Sequence, residues 1–367
     1  MAKRRLEDAI VASRALTVGI KLIDEFRSAT TLFSHDITLH GGVFSLRFSD
    51  ELDRLAVGYG DGSIRFFSVT NGKQTNEYLA SSLPPVEHLC RLSLDLPVMS
   101  MKWHPLATHR LYAACVDGTV RQVDKEKNEL SIVASEPDNE LTSIDFSADG
   151  KNYVTVGKDA HLRIYDSSKD LLVHKYNNQR RDTKLAQISA NPSDDLTCTT
   201  GHYNRAFACR FHPDHKNILL SAGWDNVVKI WDIRQKEALP ESIPGPHICG
   251  EGIDARGNEI LTASWSRENS LQIWDFRTMH LLTTLNVPNA ANEKGEFMYS
   301  AQICDNHTVL AVGSGTSSCH VINYETNEEL ARLPLSKAVY ALDSMLGGRV
   351  FAFGGLDKFS LAHMKDS

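Results

Sequence analysis

At 367 residues, with 42% hydrophobic and 23% charged positions, the chain is long enough to bury a large core and has the composition of a soluble globular protein. Its formal net charge of −7 gives no global attraction for phosphate backbones and argues against nucleic acid as a partner. No apolar run approaches the roughly 18–20 residues needed for membrane insertion.

The seven cysteines (Cys90, Cys115, Cys198, Cys209, Cys249, Cys304 and Cys319) are odd in number and never spaced as CxxC. Most lie in apolar runs, which reads as reduced core thiols of a cytoplasmic or nuclear protein rather than a disulfide or zinc framework.

Residues 1–29 differ from everything after them. Glu7 and Asp8 argue against a secretory or transit peptide. Leu6, Ile10, Leu16, Ile20 and Ile23 follow helical spacing, and Val11, Ala15, Val18, Leu22 and Phe26 widen the apolar face. Arg4, Arg5, Glu7, Arg14, Lys21, Asp24, Glu25 and Arg27 fill the remainder. A short amphipathic N-terminal helix is predicted. It packs on the protein's own side or bottom, binds a partner protein, or lies on a membrane surface; the acidic residues weaken the last option.

From about residue 40 the chain becomes short β-type runs broken by turns, as at 43–48, 54–59 and 63–69. Four runs end on an aromatic followed by a tight turn: Phe48-Ser49-Asp50, Trp103-His104-Pro105, Phe146-Ser147-Ala148-Asp149-Gly150 and Phe211-His212-Pro213-Asp214. Ile253-Asp254-Ala255-Arg256-Gly257 is a weaker fifth copy.

A second mark follows each copy, an acidic or small residue six places before a strand residue. The pairs are Asp61 with Phe67, Asp117 with Val123, Asp159 with Tyr165, Asp225 with Trp231, Glu268 with Trp274, Ser318 with Tyr324 and Asp357 with His363. Three of the six steps between the acids or their equivalents, 42, 43 and 39, lie near the roughly 40–45 residues of a four-stranded blade. Residues 70–86 read as an expanded loop between the third and fourth strands of blade 1, and 177–200 as an insertion between blades 3 and 4. Seven copies is a count that closes a ring.

The best copy runs Gly201-His202, Phe211-His212-Pro213-Asp214, Ser221-Ala222-Gly223-Trp224-Asp225 and Lys229-Ile230-Trp231-Asp232, and Ile273-Trp274-Asp275 repeats its end. In these residues the chain resembles the WD-repeat family over roughly residues 31–365. The resemblance implies an all-β, seven-bladed WD-repeat β-propeller over residues 30–367, following the helix of residues 1–29. The last blade has three strands of its own, and residues 31–39 are expected to supply its fourth and close the ring.

In that family the His, Ser/Thr, Asp and Trp of one blade form a buried hydrogen-bond chain, which here would be His202, Ser221, Asp225 and Trp231. A hydrolase triad is disfavoured, because no nucleophile elbow or oxyanion-hole pattern accompanies these residues. Blades 1, 2, 3, 6 and 7 lack the Trp and only blade 4 has Gly-His, so those blades are expected to rest more on apolar packing. His40 stands near the matching place in blade 1.

The family resemblance implies a non-catalytic scaffold that assembles protein or peptide partners, with no cofactor. No phosphate-cradling GxxxxGK[ST] and no HExxH appears. In similar propellers the residue before the buried Asp points toward the central opening, which gives Trp224, with Arg267 and Trp265 in blade 5. Tyr203, Arg205, Tyr299 and Tyr340 join them at the starts of first strands, and Trp, Tyr and Arg dominate interface energies. Trp231-Asp232-Ile233-Arg234 and Trp274-Asp275-Phe276-Arg277 resemble substrate receptors of cullin-RING ubiquitin ligases, in which Arg234 and Arg277 would face the adaptor. A helix before a propeller also resembles the G-protein β subunit.

Overall fold

The computed structural model describes residues 26–37, 39–83, 96–177, 201–235, 240–287, 296–305 and 307–365. These form seven four-stranded antiparallel sheets, the blades of a propeller, with no α-helix among the described residues. The predicted N-terminal helix lies outside them through residue 25, as do the 178–200 insertion, Cys90 and Cys198.

The inner strands are Val43–Phe48, Val98–Trp103, Leu141–Phe146, Ala206–Phe211, Ile253–Arg256, Met298–Ile303 and Val339–Met345. Each pairs with a second strand that is almost wholly buried, such as Ile218–Gly223 in blade 4 and Val350–Gly355 in blade 7. Both faces of these strands press on neighbouring blades, so they read as continuous apolar runs. Outer strands such as Leu171–Tyr176 are largely exposed. Each hydrophobic cluster spans a blade junction, as where Leu55 and Val57 of blade 1 meet Val350, Phe359 and Leu361 of blade 7. Burial pushes the Cys115 and Cys304 thiols up to about 12, so they fill space as neutral side chains.

Two sequence expectations need correction. The fourth strand of blade 1 is Gln74–Tyr78, inside the stretch 70–86 that reads as a loop. Its polar residues face solvent at the blade's outer edge and only Tyr78 is buried, so no apolar alternation marks it. The extra length follows this strand, beginning with a 3-10 turn at Ala80–Ser82.

The N-terminal strand is Ser28–Asp36, not 31–39. It pairs antiparallel with Lys358–Lys365 of blade 7, from Ser28 opposite Lys365 to Asp36 opposite Lys358, with an irregularity between Thr31 and Phe33. Ser28 and Ala29, assigned to the helix segment from sequence, are strand residues. Phe26, on the expected apolar helix face, is buried among Cys304, Phe351 and Met364, and the Arg349 guanidinium sits 5.5 Å from its ring centroid.

Candidate functional site

The turn between second and third strands is built the same way in most blades. The residue after the turn acid or its equivalent has positive φ: Gly62 at 77°, Gly118 at 81°, Ala160 at 63°, Asn226 at 59°, Asn269 at 55° and Ser317 at 52°. This left-handed step tightens the turn and leaves the preceding acid free to accept bonds from inside the blade.

In blade 4 the acceptor is Asp225. His202 Nδ1–H donates to its carboxylate at 2.6 Å, the Ser221 hydroxyl donates to His202 Nε2 at 2.6 Å, and Trp231 Nε1–H donates to Ser221 Oγ at 2.8 Å. All four residues are buried. In blade 1, His40 Nδ1 reaches Asp61 at 2.9 Å.

The expectation that other blades rely on apolar packing is overturned in blades 2 and 3, where an arginine four residues after the Asp fills the histidine's role. Arg121 pairs with Asp117 at 2.5 Å and Arg163 with Asp159 at 2.5 Å. Blade 3 adds Glu136, which accepts from Thr155 Oγ1 at 2.5 Å, Tyr165 OH at 2.8 Å and Arg163 at 2.8 Å. In blade 5, Glu268 is exposed and Trp274 donates to Thr262 at 3.0 Å.

Blade 6 places its turn residue at Thr316, two positions ahead of the Ser318 and Tyr324 pair read from spacing. There His320 is fully buried between Glu296, 2.8 Å from Nε2, and Glu329, 2.7 Å from Nδ1. Burial alone would lower the His320 pKa, but the bonds to the two carboxylates outweigh it and raise it.

The inner strands carry a feature that the sequence reading missed. Six of them shift register by one residue near their start, and the extra residues are Phe44, Met99, Thr142, Phe207, Tyr299 and Tyr340. Such a bulge re-aims a side chain. Here four of the six are aromatic, and they form a crown with turn and loop residues at one end of the channel.

Within the crown Phe44 stacks on Tyr340 at 5.5 Å and 2°. Tyr340 meets Tyr299 edge-on at 4.8 Å, and Trp265 Nε1–H donates to Tyr299 OH at 3.1 Å. Phe297 packs 4.6 Å from Trp265. On the blade 4 side Phe207 lies 5.2 Å from Trp224, and Arg205 stands 5.7 Å from both rings. The loop between blades 4 and 5 joins the two groups: Cys249 Sγ accepts from Trp224 Nε1–H at 3.1 Å, and the His247 carbonyl accepts from the Trp265 backbone N–H at 2.8 Å.

Trp224, Trp265 and Tyr203 are 43%, 41% and 43% exposed, and Arg267 is exposed. Tyr203 OH donates to the Asp225 carbonyl at 3.3 Å. The structure therefore brings Arg205, Trp224, Trp265, Tyr299 and Tyr340 together, with Tyr203 and Arg267 at the margin. Phe44, Phe207 and Phe297 are additions. The repeated signal for the bulged residues was in the text: Val43-Phe44-Ser45, Ala206-Phe207-Ala208, Met298-Tyr299-Ser300 and Val339-Tyr340-Ala341 share one pattern.

Three residues beyond each bulge, side chains line the channel: Arg47, Lys102, Asp145, Arg210, Gln302 and Asp343, with Asp254 in blade 5. Each aspartate is gripped from both sides. Asp145 pairs with Lys102 at 3.2 Å and accepts the Phe211 N–H at 2.6 Å. Asp254 pairs with Arg210 at 3.1 Å and accepts the Ile303 N–H at 2.9 Å. Asp343 accepts from Gln302 at 2.9 Å and from the Phe48 N–H at 2.8 Å.

Glu251, from the loop entering blade 5, reaches across to Arg47 and to Ser100 Oγ. Burial would raise its carboxyl pKa, but Arg47 and Lys102, with the bond from Ser100, hold it below the ordinary value. The crown thus stands over a charged, largely satisfied floor.

Arg234 and Arg277 lie on the turns between third and outer strands, at the opposite face. Arg234 is 68% exposed and folds back on Asp232, with its Nε 2.9 Å from the carboxylate. Arg277 is exposed, and its backbone N–H donates to Asp275 at 2.9 Å.

The family described as WD domain, G-beta repeat matches residues 29–68, 130–166 and 194–232. The first two spans begin on the outer strand of one blade and end on the third strand of the next, in step with the observed sheets. The chain is a WD-repeat propeller.

This WD-repeat propeller is 26% identical to the LEC14B homolog of Prunus armeniaca over 64% of its own length and 46% of the relative's. It is 29% identical to the guanine nucleotide-binding protein subunit beta-like protein of Encephalitozoon cuniculi, over 29% of its length and 39% of that protein. With DNA damage-binding protein 2 of Bos taurus the identity is 24%, over 47% and 36%. The aligned region spans less than half the length of each of these relatives.

Proposed function

We propose that this propeller is a non-catalytic interaction scaffold whose aromatic crown is the docking face. The carrying observation is the arc of Phe44, Tyr340, Tyr299, Trp265, Trp224 and Phe207, held in place by bulges and mutual hydrogen bonds. Trp224 and Trp265 are 43% and 41% exposed, with the buried Phe207 packed against Trp224, and rigid exposed aromatics lose little conformational entropy on binding and offer large contact area. Several relatives are by name subunits of larger assemblies, among them the guanine nucleotide-binding subunit and the anaphase-promoting complex subunit cdh1 of Dictyostelium discoideum. Pairing of Ser28–Asp36 with blade 7 supports a ring held shut by the N-terminal strand. Affinity purification with mass spectrometry, comparing wild type with Trp224→Ala/Trp265→Ala, tests the reading; an unchanged set of co-purifying proteins would reject the crown as the docking face.

A second reading is that of a cullin-RING substrate receptor, supported by the exposed Arg277 guanidinium on the face away from the crown. Arg234→Ala/Arg277→Ala should then lose an adaptor while crown partners remain. Signalling as a G-protein β-like subunit depends on the segment before Phe26 and draws support only from the name of one relative.

A further inference from the structure

We infer that the crown takes an acidic linear segment of a partner protein, carrying an aromatic or branched apolar anchor. This rests on the crown being the docking face and adds the chemistry of what docks there.

The molecule as a whole is acidic, at −7, yet the fringe of the crown is not. Arg267, two residues from Trp265, and Lys337, three residues before Tyr340, are both exposed. Neither makes a hydrogen bond or ion pair among the described residues. Arg205 and Lys158 share one carboxylate, Glu140, at 2.6 Å each, so that group of three carries a net positive charge.

Several carboxylates on the crown's face are meanwhile turned inward, although Asp138, in the loop entering blade 3, is exposed and Asp61 is partly exposed. Asp225 is held by His202, Glu251 by Arg47 and Ser100, Glu296 by His320 and Thr316, and Asp357 by Ser336. Glu268, beside Arg267, is exposed and opposes this trend. Arg267, Lys337 and the Arg205–Lys158–Glu140 group thus offer local cationic contacts to an anionic visitor.

Geometry adds to charge. Arg205 lies over the Trp224 and Phe207 rings with its Nη2 on Glu140 at 2.6 Å, so a cation is fixed beside the exposed tryptophan face. Aromatic faces alongside accept an apolar side chain. Cations ringing exposed aromatics also suit single-stranded nucleic acid, but two unpaired cations release few counterions and the net charge opposes a polyanion. A peptide with a few acids fits better.

The test is a selection from a naive phage-displayed library of peptides about a dozen residues long, against the full-length protein. Two exposed-surface variants, Arg267→Glu/Lys337→Glu and Trp224→Ala/Trp265→Ala, run in parallel once their melting curves match wild type. Wild type should enrich acidic sequences with an aromatic or branched apolar residue. Synthetic versions of these peptides should bind the charge-reversed variant at least about tenfold more weakly. Enrichment of neutral or basic peptides overturns the inference, as do undiminished binding to the charge-reversed variant, no enrichment, and tighter binding of a fluorescein-labelled single-stranded oligonucleotide.

The two failures separate cleanly. If the tryptophan variant loses peptides and the charge-reversed variant keeps them, the crown remains the docking face and only the acidic preference falls. If the tryptophan variant keeps its peptides and its cellular partners, the docking face falls with it.

Discussion

Arg121 and Asp117, four residues apart in blade 2, form an ion pair at 2.5 Å in which neither side chain has any exposure to solvent. Thr119 Oγ1 and its backbone N–H also donate to Asp117, and Arg121 donates to the Gly62 carbonyl of blade 1. Removing one partner strands a buried charge, so Arg121→Ala should cost about 3–5 kcal/mol. Arg121→Met with Asp117→Leu should recover only part of that loss: an apolar pair avoids the desolvation cost but leaves the Thr119 N–H and the Gly62 carbonyl without these partners. Urea unfolding of the three proteins measures both effects, and a double variant as unstable as the single one would contradict this account.

Glu251 ties blade 5 to blades 1 and 2. Glu251→Gln keeps an acceptor for Ser100 but leaves Arg47 with Asp343 at 3.9 Å as its remaining carboxylate. The expected loss is roughly 3 kcal/mol. Because the folded pKa of Glu251 is depressed, its contribution is present above its unfolded value of about 4.3 and disappears as pH falls through the folded value. Wild type should therefore lose more stability than the variant between neutral and acidic pH.

The blade 6 network predicts the opposite slope. His320 has a raised folded pKa, so its stabilisation is complete below its unfolded value of about 6.5 and fades as pH rises through the folded value. Glu329 is depressed to about 2: burial opposes this, and bonds from His320 and Arg332 outweigh it. Glu296 is depressed as well, its bond to His320 outweighing burial. Thermal melts from slightly acidic to alkaline pH should fall for wild type and stay flatter for His320→Gln. Parallel curves for the two proteins would remove His320 as the cause.

Deleting residues 28–36 should expose the free edge of Lys358–Lys365. Open edges invite pairing with other chains, so the truncated protein should melt at lower temperature and self-associate. Calorimetry with light scattering reads both changes; an unchanged melting curve would show that the ring does not depend on this strand.

Most of the architecture was legible because a blade repeats. The aromatic before each tight turn and the acid six places before a strand residue recur often enough to count the blades. The hydrogen-bond chain of blade 4 was equally readable, since Gly-His and Trp-Asp survive together. What escaped reading had a different cause in each place. Gln74–Tyr78 is a solvent-facing edge strand, and such strands carry no apolar alternation. Arg121 and Arg163 do the work of histidine from another strand, and only the four-residue spacing from Asp117 and Asp159 betrays them. Phe44 and Phe207 resemble ordinary core residues until a one-residue shift in register turns them toward the channel mouth.

The channel lining carries one more lesson. From blade 2 to blade 7 its residues run Lys102, Asp145, Arg210, Asp254, Gln302 and Asp343, donor and acceptor in turn, and Arg47 follows in blade 1. An odd ring cannot alternate all the way round, so two donors, Arg47 and Lys102, must fall side by side. Glu251 enters as an eighth member near that clash, bonded to Arg47 and to Ser100 of the blade that bears Lys102. A seven-membered circle with this alternating pattern thus creates a fixed place for an extra carboxylate, and blade 5 supplies it.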